Sequence, residues 1–167
     1  MATKLKEASS ATDISAGRVG ESLVPGKEEH ALNPMIGSWI TEGSTVAGTK
    51  TPPVNIVASD VYEWAPGGFF VVHSAYGRIG ETGAGGIEII GYDQESGTYQ
   101  THFFDNQRNR QQQELKIRGN SWTWIGEKTR CKATISPDGK VMTAHHEKSQ
   151  DGAKWTHSME VTLTKFS

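Results

Sequence analysis

The 167-residue chain has one cysteine, little net charge, no long apolar run and no aromatic side chain before Trp39. Each scarcity excludes something. Cys131 alone can form neither an internal disulfide nor a thiolate metal site, which suits a reducing compartment. Seventeen basic against nineteen acidic residues leave a net charge of -2, too weak a field to gather nucleic acid or an anionic membrane, so neither is expected as a partner. No stretch approaches the roughly 20 apolar residues of a membrane-spanning helix, and Met1–Glu7 lacks the apolar core of a secretion signal. A cytoplasmic protein is the expectation.

Residues 1–29 are rich in Ala, Ser, Gly, Lys and Glu and can bury little, so the composition predicts a mobile leader there and one folded domain over 30–167. Between them, the segment from Glu28 to Ile36 can form a helical turn that sets Leu32 and Ile36 on one side, with Pro34 limiting its length.

What the chain has in plenty is turn signals. Asp93–Gly97, Gly119-Asn120, Ser136–Gly139 and Asp151-Gly152 supply the φ > 0 and Asx-turn conformations of tight hairpins. The stretches between them read as about ten strands, near 37–46, 54–64, 68–78, 86–92, 97–105, 110–118, 120–127, 128–136, 139–149 and 153–165. Short turns join neighbours only, and an open sheet of this size would leave two adhesive edges. The prediction is therefore an all-β, antiparallel up-and-down barrel with a short N-terminal helical turn. Strict alternation in the last strand predicts Trp155, His157, Met159, Val161 and Leu163 on the inner face. Strands 68–78 and 97–105 carry apolar residues on both parities, which leaves their registers open.

The order Leu32…Gly37-Ser38-Trp39, Tyr62-Glu63-Trp64, Gly67-Gly68-Phe69-Phe70, Ile90-Gly91-Tyr92-Asp93, Tyr99 and His102-Phe103-Phe104-Asp105 resembles the DUF1579 family of uncharacterised barrel proteins. The resemblance continues through Gly126, Arg130, Ser136–Gly139 and Asp151–Trp155 and spans 32–166. It implies a calycin-like, that is lipocalin-like, barrel and no particular activity. Gly37-Ser38-Trp39 is also similar to the Gly-x-Trp start of lipocalins, fatty-acid-binding proteins and nitrobindins, which implies that Trp39 closes one barrel end.

By that analogy the expected function is binding of a small, largely apolar molecule in the lumen, with Tyr62, His73, His102, Trp124, Arg130 and His157 as candidate lining residues. An inward Arg130 would favour a carboxylate head group. Its strand equally permits the outward reading, with Lys128, Arg130 and Lys132 on one parity and Cys131 on the more apolar one. Adjacent His145 and His146 point to opposite faces and cannot chelate one ion together, so no metal is expected. Three rivals stay open. One is an enzyme with His73, His102 or His157 as general base and Arg130 or Tyr62 stabilising charge; its catalytic residues are unknown. A second is haem held by one inward histidine, otherwise no cofactor being expected. The third is assembly into a homodimer.

Overall fold

The computed structural model describes residues 23–47 and 52–167. Two short helical turns, α1 (Lys27–His30) and the 3-10 turn Asn33–Met35, lead into ten strands: β1 (Gly37–Thr45), β2 (Asn55–Trp64), β3 (Phe70–Ile79), β4 (Thr82–Asp93), β5 (Thr98–Asp105), β6 (Arg110–Arg118), β7 (Ser121–Ile125), β8 (Thr129–Ile135), β9 (Val141–Ser149) and β10 (Trp155–Lys165). Each strand pairs antiparallel with its sequence neighbour, and β10 returns to β1, so the sheet closes into an up-and-down barrel. Closure removes both edges, as the length of the sheet demands. Most of the expected leader, residues 1–22, lies outside the described residues.

Turn chemistry sets the registers. Gly97, Gly119, Gly139 and Gly152 all have positive φ at hairpin turns, the conformation an L side chain resists. Inside β4, Gly91 serves a different end. Its missing side chain leaves room for the Phe70 ring, which a Cβ there would meet at 2.4 Å.

One end of the barrel is plugged. Leu32 and Met35 of the helical segment, together with Trp39, Val71, Ile90, Leu115 and Trp122, are sealed from solvent or within 1% of it. Side-chain donors fasten the plug: Trp39 Nε1–H to the Met35 carbonyl (2.9 Å), Trp64 Nε1–H to Asn33 Oδ1 (3.2 Å), Tyr99 Oη–H to the Glu28 carbonyl (2.8 Å) and Lys165 Nζ to the Ile36 carbonyl (2.8 Å). Lys165 Nζ also lies 4.7 Å from the centre of the Trp39 ring. The two indoles of the plug, Trp39 and Trp64, thus have their one donor satisfied.

The two ambiguous registers resolve on this frame. Val71, His73 and Ala75 face inward on β3, where His73 opposes Tyr62; on β5, Thr101 is buried while His102 and Phe104 stand exposed outside. Thr101 faces the interior between Ile90 and Gln113.

Candidate functional site

Midway along the barrel the inner wall turns polar. β1 contributes Thr41, β2 Asp60 and Tyr62, β3 His73 and β4 Glu88, neighbours because the registers place Thr41, Asp60, His73 and Glu88 on successive strands facing inward. The His73 ring lies between two carboxylates, with Nε2 2.8 Å from Asp60 Oδ1 and Nδ1 3.1 Å from Glu88 Oε2. Thr41 Oγ1–H donates to Asp60 Oδ2 at 2.5 Å, and the Tyr62 ring stacks on the imidazole at 4.0 Å between centroids and 8° between planes.

Burial alone would lower the His73 pKa; the hydrogen bonds to Asp60 and Glu88 outweigh it and push the imidazole up to about 9. His73 is therefore an imidazolium at neutral pH, clamped at both nitrogens. Such a ring has no lone pair for base catalysis and none for an iron, so the expected roles of His73 as general base or haem ligand do not fit its surroundings. The Tyr62 hydroxyl is held well above its ordinary pKa by burial first, then by Asp60 and Glu88.

Beyond this belt stands a second, half-buried pair. Cys131 and His146 are cross-strand partners on β8 and β9, with Sγ 3.6 Å from Nε2. Burial, helped by Glu88, pushes the thiol up to about 12. Burial, helped by Lys148, His145 and His157, pulls the imidazole down to about 4. Both groups are neutral, so the pair is not a thiolate–imidazolium nucleophile. Sequence reasoning missed His146 as Cys131's neighbour, although counting back from the Ser136–Gly139 hairpin pairs the two.

Of the six expected lining residues, Tyr62, His73 and Trp124 face the interior, Trp124 stacked beside Trp122 at 6.3 Å. The other three do not. His102 is exposed on the outer face of β5. Arg130 takes the outward option: its Nε donates to Glu147 Oε2 at 2.5 Å and its guanidinium covers the Trp155 ring at 4.5 Å.

His157 requires a correction of physics as well as of place. Alternation along β10 predicted it inward with Trp155, but the register slips between His157 and Met159, a β-bulge at Ser158. One extra residue inverts the parity of everything before it. Met159, Val161 and Leu163 therefore face inward, whereas Trp155 and His157 lie outside, His157 opposite Glu147 and its side chain 38% exposed.

Polar atoms in the wall are nearly all partnered. Among the described residues, Thr101 Oγ1 and His157 Nε2 are the buried side-chain atoms that lack a hydrogen-bond partner. At the end away from Trp39 the inward side chains Ala58, Ala75, Phe103, Gln113, Cys131, His146 and Met159 are only half-buried, unlike their counterparts at the plug.

The fold and site together define a small closed β-barrel with an apolar plug and a charged inner belt. The chain belongs to the DUF1579 family, described as proteins of unknown function, whose profile matches residues 24–165. No curated protein matches the chain. Among solved structures it is similar to Rv2717c from M. tuberculosis, at 13% identity and a TM-score of 0.64, over 85% of this chain and 99% of that one. That likeness bears on the fold alone.

Proposed function

We propose that the barrel binds a small, largely apolar molecule in the half of its lumen away from Trp39, oriented by the belt of Asp60, Tyr62, His73 and Glu88. The observation that carries this reading is the Thr101 hydroxyl, fully buried, inward and unpartnered at the border where the wall passes from the dry half, at its neighbour Ile90, to the polar half, at its neighbour Gln113. A bound molecule or water would satisfy it. Burying two carboxylates around one imidazolium also costs more than an apolar core would, which fits a site better than a filler. With Arg130 outside, no inward guanidinium is present among the described residues to clamp a carboxylate. Two carboxylates against one imidazolium instead favour a ligand whose polar end donates hydrogen bonds.

A second copy of the chain is the partner that the outer wall favours. Tyr76 is 78% exposed, and Val57 and Ile87 on the flanking strands, with Phe104 one strand further, are about half exposed. Beside them a shallow depression of about 450 Å³ is lined by Ile40, Val57, Ala58, Ser59, Tyr76, Gly77 and Arg78. An apolar, aromatic sheet face of this kind marks an interaction surface, and a two-fold pairing would bury it against itself.

One experiment reads both. Protein purified from its own host and sprayed under native conditions should carry extra mass that denaturation releases, on a subunit pair. Thr101→Val, which removes only the hydroxyl, should lower that occupancy. If no extra mass is found, or if Thr101→Val raises the melting temperature and leaves the occupancy unchanged, the hydroxyl is an orphan in a dry core and the ligand reading fails. A monomer mass would overturn the pairing.

A further inference from the structure

The β-bulge at Ser158 does more than turn His157 outward. In an unbroken strand His157 and Glu160, three apart, would lie on opposite faces; the extra residue puts both on the outer wall. Glu160 is the cross-strand partner of His145 on β9, which faces the same way. His145 Nδ1 is 3.2 Å and His157 Nε2 3.4 Å from the same oxygen, Glu160 Oε1, and the three atoms lie within 4.8 Å of one another. Ligands held about 2.0–2.2 Å from a tetrahedral zinc ion stand roughly 3.3–3.5 Å apart, close to the two distances that Glu160 Oε1 makes. His157 Nε2 has no hydrogen-bond partner: its contact with Glu160 is near enough for charge but wrongly angled for a bond. That nitrogen is buried beside the cluster and is free to serve as a ligand.

We infer that His145, His157 and Glu160 form a divalent transition-metal site of the zinc class on the outer wall of β9 and β10, with three protein ligands and the remaining coordination open to solvent. Two imidazoles and one carboxylate are a borderline donor set that suits Zn²⁺ and disfavours Mg²⁺ and Ca²⁺, which require oxygen. The groups around it fit. Arg130, two strands away, is neutralised by Glu147, and Lys132, opposite His145, is the nearest cation in register. A groove of about 330 Å³ lined by Glu42, Ser44, Thr143, His145, Glu160 and Thr162 adjoins the cluster and gives an ion and its waters a way in. The site is independent of whatever the lumen binds, since its three side chains all stand outside.

The test uses the full chain and two probes, Zn²⁺ by calorimetry and Co²⁺ by its visible absorption. Binding of one ion per chain at micromolar concentration is expected, with Co²⁺ giving the bands of a four- or five-coordinate ion without a thiolate charge-transfer band. His157→Ala, His145→Ala and Glu160→Gln should each weaken binding at least tenfold. Cys131→Ser and His102→Ala should leave it unchanged. None of the five positions is fully buried, so the variants should fold, which circular dichroism checks. Affinity no better than millimolar, or equal affinity in His157→Ala and the parent, overturns the site. So does loss of binding on Cys131→Ser, which would move the ion inside the barrel.

Discussion

The two halves of this barrel are lined by the same ten strands yet obey different physics. At the plugged end the inner wall is large and dry, built on Trp39, Val71, Ile90, Leu115 and Trp122 beneath the cap of Leu32 and Met35. From the middle onward it carries Asp60, His73 and Glu88, then Cys131 and His146, among half-buried neighbours. Stability and polarity have been separated along the barrel axis. The plugged half holds the fold by burial, which leaves the other half free to keep charged groups that no core requires.

The sharpest way to break that comparison is Trp39→Ala. The side chain is fully buried, its N–H bonds the Met35 carbonyl, and Lys165 covers its ring. Truncation should destabilise by about 3–5 kcal/mol, the range for large aromatic deletions in cores. A denaturant midpoint close to the parent's would mean that the plug does not carry the fold.

The polar half should show itself in the pH dependence of stability. His73 has a folded pKa raised to about 9, so the stability it contributes is fully present below its unfolded value near 6.5 and is lost as pH rises through 9. The difference amounts to something on the order of 3 kcal/mol. His146 runs the other way. Its folded pKa is depressed to about 4, so stability is retained above 6.5 and declines as pH falls toward 4, because only the unfolded chain takes up that proton. Unfolding free energy should therefore peak near pH 6.5 and fall on both sides. His73→Gln should flatten the alkaline limb and His146→Gln the acid one. An alkaline limb unchanged by His73→Gln would mean that the ring is not protonated in the fold.

Local chemistry explains how much of this was readable beforehand. Turn residues and alternation are nearest-neighbour effects, so the ten strands and the closure follow from the residues themselves, whereas the place of Trp39 at one end was implied by the resemblance of Gly37-Ser38-Trp39 to lipocalin-type starts. Two strands with apolar residues on both parities, β3 and β5, are different: only their partners decide that His73 faces in and His102 out. The belt was half visible. Tyr62 and His73 were expected inside, but Asp60 and Glu88, which hold His73's proton, are ordinary acidic residues until the β2–β3–β4 registers align them. The outer cluster was hidden altogether, because the bulge that creates it shows in no single-strand pattern.

That bulge supplies the smallest and most discriminating effect. Had His157 stood inside among Met159, Val161 and Leu163, its removal would leave a polar orphan or a cavity and would cost about 1–3 kcal/mol. On the outer wall it is partly solvated, and its contact with Glu160, itself more than half exposed, is a surface polar contact of the kind worth little. His157→Ala in metal-free protein should therefore shift stability by no more than about 0.5 kcal/mol, within the range of surface substitutions. Deleting Ser158 instead should be far worse than its small side chain suggests. Restored alternation would drive either His157 and Trp155 into the interior or Met159 out of it, and the register of β9 against β10 would have to choose. A large loss for Ser158 deletion beside near-neutrality for His157→Ala is the outcome that places His157 outside; a large loss for His157→Ala would return it to the lumen.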